Sequence, residues 1–223
     1  MIKNIRRVAC FTIFLSLLVA VCLYSCKKDT KSETVVYTNN FESGNLNNIN
    51  GGVTETYNGT KVLGRYNNGQ FTLSVPNLPK HDMVEISFDL YIHDNWDGNT
   101  LGIDGVDGPD IWQMLVDGNI YFNTTFSNLY CNPGVFCPPQ SYPNNYPNNN
   151  HNPKIGSYQT GLPPACNATS YGTTLYKIDK VISHSSSTVQ LQCLDHLIQK
   201  NASDPKCDES WSVDNIQIKA IAL

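Results

Sequence analysis

The stretch from Met83 to His93, MVEISFDLYIH, limits what this chain can fold into more than any other stretch. Apolar and polar side chains alternate along it with a period of two, and successive side chains of a β-strand point to opposite faces of a sheet. The apolar set is Val84, Ile86, Phe88, Leu90 and Ile92, and the opposite set is Glu85, Ser87, Asp89, Tyr91 and His93. The pattern predicts a strand with one face in a core and one face outward.

Further stretches with strand-like patterns are separated by turns rich in Gly, Pro and Asn. They are residues 35–41, 60–66, 70–75, 111–117, 120–126, 173–182, 187–193 and 211–223. Short strands without a long amphipathic helix predict an all-β sandwich, here a single domain over residues 35–223. We expect the first and last strands to pair, and one helical turn between 194 and 207, before Pro205.

Residues 1–25 have the composition of a targeting segment. Basic residues precede the apolar run VACFTIFLSLLVAVCL, which is too short and wrongly flanked for a comfortable membrane span. The LYSC that follows resembles a bacterial lipobox, in which Cys26 would become the lipidated first residue, with 26–34 as a polar tether. We therefore expect a cell-envelope lipoprotein of the outer membrane, facing the periplasm or the surface. The alternatives are plain secretion, if the lipobox is not used, and a retained anchor helix.

The charge balance excludes one class of partner. The whole chain has a net charge of −4. Removing residues 1–25 takes away Lys3, Arg6 and Arg7 and no acidic residue, so the rest of the chain is more acidic still. Because no basic patch survives, the sequence predicts that nucleic acid is not a partner.

Cysteine usage fits an oxidising compartment. Of the eight cysteines, two lie in the targeting segment and Cys26 is the lipidation candidate. For an exported chain, disulfides are the default use of the others. We expect Cys131–Cys137, which closes a short Pro-Gly loop, and Cys193–Cys207, which ties the last two strands, with Cys166 left free. The alternative use, as ligands of a zinc site, is not supported, because the chain contains no C-x-x-C pair.

Three acidic turns carry oxygen ligands at short spacing. HDNWDGN contains Asp94, Asp97 and Asn99, GIDGVDGPD contains Asp110 with Asp104 and Asp107, and CDESWSVDN contains Asp208, Glu209 and Asp214. Calcium takes six to eight oxygen ligands from carboxylates, amides and carbonyls, so these turns are candidates for a structural calcium site. The alternative is ordinary turn chemistry, because Asp, Asn and Gly also favour turns without a metal.

A long segment, residues 128–173, is rich in Pro, Asn and Tyr and shows no periodicity. A loop of this length is usually functional or poorly ordered. Tyr142, Tyr146 and Tyr158 are its candidates for stacking against sugar rings. Trp96 and Trp211, beside the acidic turns, are expected to pack down on the ends of the sandwich instead.

The sequence contains few features that indicate catalysis. It contains no nucleophile elbow, zinc-protease helix, phosphate-binding loop or dinucleotide turn, and its five histidines are scattered. A carboxylate pair for glycoside hydrolysis is a matter of spatial geometry, so it stays open. Glu85 and Asp89, on the outward face of the best strand, are its nominal candidates, with a solvated strand face as the alternative.

The ends of the domain carry a resemblance. YTNNFESG at the start and ESWSVDNIQI at the end resemble the edges of calcium-associated jelly-roll modules of exported bacterial proteins, including carbohydrate-binding modules and laminin-G-like sandwiches. The resemblance covers residues 35–221 and implies a jelly-roll-like antiparallel sandwich. It also implies a structural calcium ion between an early acidic residue and an Asp of the last strand, here Glu42 and Asp214.

Together these observations predict a cell-envelope lipoprotein with a non-catalytic, calcium-stabilised module that binds glycans or another surface ligand. Two alternatives stay open. One is a glycan-active hydrolase that uses a carboxylate pair, and the other is a purely structural or adhesive envelope component.

Overall fold

A computed structural model describes residues 30–101, 108–134, 136–166, 171–197 and 202–223. The predicted targeting segment, the lipidation of Cys26, and Asp104 and Asp107 lie outside the described residues. Among the described residues, none of the helices is long and apolar enough to cross a membrane.

The described chain is an antiparallel β-sandwich, which confirms the predicted fold class. Its strands are β1 (Ser32–Asn39), β2 (Ile49–Asn50), β3 (Thr54–Tyr57), β4 (Thr60–Tyr66), β5 (Gln70–Pro76), β6 (Met83–Asp94), β7 (Ile111–Val116), β8 (Asn119–Thr125), β9 (Gln159–Leu162), β10 (Thr173–Ser183), β11 (Thr188–Asp195) and β12 (Glu209–Ala222). The larger sheet has the order β3-β4-β12-β6-β10-β9, with β1 also on β12, and the smaller sheet has the order β2-β5-β11-β7-β8.

The predicted core face of β6 is observed, at the centre of the larger sheet. Val84, Ile86 and Leu90 are fully buried in the core. The predicted outward face is wrong at its end, because His93 is fully buried between Thr173 and Ser212 of the neighbouring strands. Asp89, also on that face, is only 9% exposed. On one side β6 pairs with β12 and on the other with β10. The predicted pairing of the first and last strands is also observed, between β1 and β12. Strand β1 starts at Ser32, so the last residues of the predicted tether already pair in the sheet.

Aromatic side chains fill the space between the sheets. Trp96, Trp112 and Trp211 are completely buried, as predicted for Trp96 and Trp211. The rings of Trp112 and Trp211 meet edge to face with centroids 6.0 Å apart. Burying a large aromatic side chain contributes on the order of 2–3 kcal/mol. These rings therefore need no ligand to explain their presence.

The predicted helical turn forms later in the sequence than expected. Helix α1 spans Pro205–Asp208, so Pro205 opens the turn and does not end it. Proline suits the first helical position because its missing N–H would have no partner there and its φ is already helical. Asp204 caps the helix by accepting a hydrogen bond from the backbone N–H of Lys206.

One of the two predicted disulfides is observed and the other is wrong. Cys131 is bonded to Cys137, but Cys207 is bonded to Cys166, with their Cα atoms 5.3 Å apart. Cys193 forms no disulfide with any described cysteine and is buried. The reason is the strand face: the Cys193 side chain points from β11 into the hydrophobic core, away from the surface turn that holds Cys207.

A single buried carboxylate, that of Asp195, joins the end of β11 to β12 and to the turn before β5. Its oxygens accept hydrogen bonds from the backbone N–H groups of Asn68 at 2.6 Å, Gly69 at 3.0 Å and Leu197 at 3.0 Å, and from Trp211 Nε1 at 2.6 Å. Removing the carboxylate would leave the buried Trp211 Nε1–H and the buried Leu197 N–H without this partner.

We expect Asp195→Ala to lower the free energy of unfolding by about 3 kcal/mol, because unpaired buried donors keep their full desolvation cost. The melting midpoint should fall by roughly 6–12 °C. Thermal unfolding followed by circular dichroism measures it. Asp179→Ala, at an exposed carboxylate on β10, is the control, and an equal fall in both variants would contradict the prediction.

Candidate functional site

Polar side chains form a shallow groove on the outer face of the larger sheet. Its volume is about 270 Å³, and it is lined by side chains of β6, β10 and β12, including Ser87, Asp89, Lys177, Asp179 and Asn215. Lys177 Nζ donates to Asp89 Oδ1 at 2.7 Å, and Asn215 Nδ2 donates to Asp89 Oδ2 at 2.9 Å. We call this region the outer groove.

An exposed aromatic ring adjoins the outer groove. Tyr158 is 66% exposed, and Lys177 Nζ lies 4.7 Å from the centroid of its ring. The backbone N–H of Tyr158 donates to the carbonyl of Leu175, which fixes the residue beside β10. The same lysine therefore contacts both the carboxylate in the groove and the ring at its side.

The register of the larger sheet adds a second carboxylate next to the groove. Asp214 lies opposite Asp89 across the β12–β6 pair and is only 5% exposed. Burial, and then the negative charges of Asp89 and Glu42, raise the pKa of Asp214 to about 6, although its hydrogen bond from the Asn215 N–H acts in the opposite direction. Burial and the charges of Asp89 and Asp214 likewise raise the pKa of Tyr91 to about 12.

A second polar region, which we call the acidic cluster, consists of Asp97, Asp110 and Glu209. One carboxylate oxygen from each residue lies within 4.8 Å of the others, and Asp110 and Glu209 are buried. Among the described residues, this is the one group of three or more His, Cys, Asp or Glu side chains with that geometry. The sequence predicted all three as metal ligands.

Asp110 holds the turn that carries Asp97. Its Oδ2 accepts the backbone N–H groups of Asp97 at 2.5 Å and Gly98 at 2.9 Å, while its Oδ1 is buried with no hydrogen-bond partner in the described chain. Burial, and then the charges of Glu209 and Asp97, raise the pKa of Asp110 well above its usual value.

The other predicted metal ligands do not join the acidic cluster. The Asn99 amide is used within the protein: its Nδ2 donates to the Asn149 carbonyl, and its Oδ1 accepts from the hydroxyl groups of Ser141 and Thr125. Asp208 Oδ1 accepts from Asn95 Nδ2, and Asp94 is buried outside the cluster.

The pair that the resemblance implied, Glu42 and Asp214, is close enough for their charges to interact. Glu42 is exposed, and its Oε1 accepts the backbone N–H of Lys61 at 3.0 Å. No third His, Cys, Asp or Glu side chain completes a close group of three around this pair in the described part of the chain. Calcium at Glu42 and Asp214 stays a prediction.

The three predicted sugar-stacking tyrosines have different positions. Tyr142 is packed in the hydrophobic core, with its ring centroid 5.0 Å from those of Phe126 and Tyr176, so the prediction that it offers a ring to a ligand is wrong. Tyr146 is half-buried, and its backbone bonds to Asn123. Of the three, only Tyr158 is an exposed residue.

Sequence reasoning missed Lys177 and Asn215, the two partners of Asp89 in the groove. Lys177 could have been found, because it alternates with the buried Tyr176 and Ile178 in β10. Asn215 could not, because it points to Asp89 from a β-bulge where the register between β12 and β6 shifts, with a φ of 54°.

The histidine on β6 does not suit acid–base catalysis. His93 is completely buried, and its two ring nitrogens contact Thr173 Oγ1 at 2.9 Å and Ser212 Oγ at 2.8 Å. Burial, together with the charge of Arg65, lowers the pKa of His93 to about 3. It is a structural residue of the sheet.

Known proteins provide similarity of fold only. No protein-family model matches the chain, and no curated protein sequence matches it. One similar solved structure is a family 35 carbohydrate-binding module from Clostridium thermocellum, with 14% sequence identity, a TM-score of 0.37 and coverage of 84% of this chain and 97% of that one. A second is the C-terminal CBM6 of a marine laminarinase from Zobellia galactanivorans, with 10% identity, a TM-score of 0.35 and coverage of 84% and 98%. A third is the xylan-binding CBM22-2 domain from Paenibacillus barcinonensis, with 15% identity, a TM-score of 0.38 and coverage of 83% and 99%. All three are modules of the class that the sequence resembled. At these identities and scores, the similarity says nothing about what this chain binds.

We expect Asp214→Asn to stabilise the protein more at neutral than at acidic pH. A folded-state pKa of about 6 lies above the unfolded value of about 3.9, so the folded state holds the proton more tightly. The stability that Asp214 contributes is therefore complete below about pH 4 and is lost as the pH rises through 6.

Melting midpoints in EDTA at about pH 4 and about pH 7.5 test this expectation. The midpoint of the variant minus that of the wild type should be larger at the higher pH. Asp179→Asn, an exposed carboxylate that lines the same groove, is the control. A difference that stays constant with pH for Asp214→Asn would contradict the prediction.

Proposed function

We propose that this chain is a non-catalytic binding module whose outer groove holds a neutral glycan. The observation that carries the proposal is the exposed Tyr158 ring beside the Asp89–Lys177–Asn215 network. Sugars present both hydroxyl groups and flat faces of C–H groups. The groove offers matching carboxylate acceptors and amide and ammonium donors, and Tyr158 offers a ring for stacking.

The charge of the groove selects among glycans. Asp89, Asp179 and Asp214 lie in or beside it, and Lys177 is the cation paired with Asp89. Asp89 is therefore already neutralised by its partner, whereas the other carboxylates would repel an anionic sugar. A neutral glycan fits this balance better than a uronic acid or a sulfated chain.

Two further parts of the proposal rest on the sequence. Cys26 would anchor the chain in the cell envelope as the lipidated residue of a lipoprotein, and calcium would stabilise the loops of the module. Replacing Cys26 by Ser tests the anchor: the protein should move from the membrane fraction to the soluble fraction. Retention in the membrane would contradict lipidation at Cys26.

We expect Tyr158→Ala to weaken glycan binding at least about tenfold, because the loss of one stacking ring costs on the order of 1.4 kcal/mol. The chain from residue 30 onward, which includes every described strand of both sheets, would be screened against soluble polysaccharides, including xylan and β-glucans. Affinities for the best neutral glycan would then be measured by titration calorimetry.

Tyr130→Ala is the matched control for this experiment. Tyr130 is also exposed, and its ring lies beside Lys154 Nζ at 4.4 Å and the Tyr171 ring at 5.8 Å, two residues that do not line the outer groove. Equal losses in both variants would argue against the outer groove. Binding of no glycan at all would contradict the proposal.

One observation favours a hydrolase as a second candidate. Side chains directly opposite in an antiparallel pair have their Cβ atoms about 5 Å apart, which suits a retaining pair of carboxylates at Asp89 and Asp214. The raised pKa of Asp214 would also suit a general acid. Against it, Asp214 is buried and both oxygens of Asp89 are bonded. Release of reducing sugar by the wild type, abolished in Asp89→Asn, would favour the hydrolase.

A further inference from the structure

We infer that the acidic cluster binds a divalent hard cation, calcium by its chemistry, which clamps the two sheets together at one end of the sandwich. The inference does not depend on glycan binding. It differs from the Glu42–Asp214 pair that the resemblance implied, because it places the ion among Asp97, Asp110 and Glu209.

The donor set matches such an ion. All three groups are carboxylates, and Ca²⁺–oxygen distances are about 2.3–2.6 Å, so two oxygens on one ion lie at most about 5 Å apart. The three oxygens of the acidic cluster are within 4.8 Å of one another, which satisfies this limit. Carbonyl groups and waters would complete the coordination.

The buried Oδ1 of Asp110 independently points to a ligand. Asp110 is completely buried, its Oδ2 has two N–H partners and its Oδ1 has none among the described residues. Nearly all buried polar atoms in proteins are satisfied, and a carboxylate oxygen is among the most costly to leave unpaired. A cation in contact with the other two carboxylates would satisfy Oδ1.

Charge repulsion within the acidic cluster also favours a bound cation. Three carboxylates whose oxygens lie within 4.8 Å of one another would repel one another. Either a proton or a cation must offset that repulsion. A proton would satisfy one pair of oxygens, whereas a divalent cation can contact all three carboxylates at once.

The three carboxylates come from both sheets. Asp97 follows β6 and Glu209 opens β12, both in the larger sheet, whereas Asp110 directly precedes β7 of the smaller sheet. An ion held by all three would therefore link the sheets at an end where no disulfide joins these three segments in the described chain.

The same turn also holds the long loop. The backbone N–H of Asn99 donates to the Pro139 carbonyl at 2.8 Å, and its Nδ2 donates to the Asn149 carbonyl at 2.8 Å. Asp97 forms an isolated bridge with Ser127. Because Asp97 and Asn99 share one turn, removing the cation should loosen the loop around residues 138–150 as well as the cluster.

The experiment compares the chain from residue 30 onward with calcium and with EDTA. We expect calcium at about a hundredfold excess over Kd to raise the melting midpoint by roughly 5–10 °C, and EDTA to lower amide-exchange protection in residues 138–150. Asp110→Asn should abolish both effects. Its amide oxygen can still accept the N–H groups of Asp97 and Gly98, so the turn is kept while the charge is lost.

Glu42→Gln is the matched control and should keep the calcium response. Terbium luminescence gives a second readout that does not need Asp110→Asn to fold. Each carboxylate of the cluster is one or two residues from a tryptophan, namely Trp96, Trp112 or Trp211. Terbium bound in the cluster should therefore be sensitised by tryptophan excitation and displaced by calcium.

Three outcomes would overturn the inference. The first is a calcium response lost in Glu42→Gln but kept in Asp110→Asn, which would move the ion to the other pair. The second is wild-type protein that shows neither a calcium response nor terbium emission and contains no metal by elemental analysis. The third is terbium emission that Glu209→Gln leaves unchanged. An ion that EDTA fails to strip, present in the wild type and absent from Asp110→Asn, would support it.

Discussion

The pairing of β6 with β12 is the constraint on which the rest of the structure depends. β6 and β12 are the longest strands, they lie side by side at the centre of the larger sheet, and their inner faces bury Ile92 and Trp211 among other core residues. A shift of one residue in this register would turn every buried side chain of one strand to the surface. The hydrophobic core therefore fixes the register strongly.

That register also determines the position of both polar regions. In the middle of the pair it sets the buried Asp214 opposite Asp89, beside the outer groove, where burial and the charges of Asp89 and Glu42 raise the pKa of Asp214 to about 6. At the end of the pair it sets Glu209 opposite Asp94, where the chain leaves β6 for the turn that carries Asp97. The bulge after Asp214 then brings Asn215 to Asp89.

Sequence reasoning succeeded where a physical signal repeats along the chain and failed where contact is made by one residue. The period of two in β6 predicted its buried face, and clustered acidic turns predicted all three members of the acidic cluster. The two-residue strand β2 is too short to show a period. Cys207 pairs with Cys166 because Cys193 lies on the core face of β11 and is not available to it. An error of one residue in assigning the faces of β11 puts Cys193 on the surface and so predicts the wrong disulfide.

The long loop shows why composition alone was misleading about Tyr142. Pro- and Asn-rich sequence lacks the ladder of hydrogen bonds that orders a strand, but buried side-chain amides can replace it. Gln140 does this: its Oε1 accepts the N–H groups of Ser127 and Lys154, and its Nε2 donates to the carbonyl groups of Tyr142 and Ile155.

With its backbone satisfied in this way, the loop can turn the Tyr142 ring into the core and still continue to Tyr158 at the surface. Asn99 supplies the second amide anchor, from the turn that also carries Asp97. The order of the loop therefore depends on the turn after β6, and so on whatever neutralises the carboxylates of the acidic cluster.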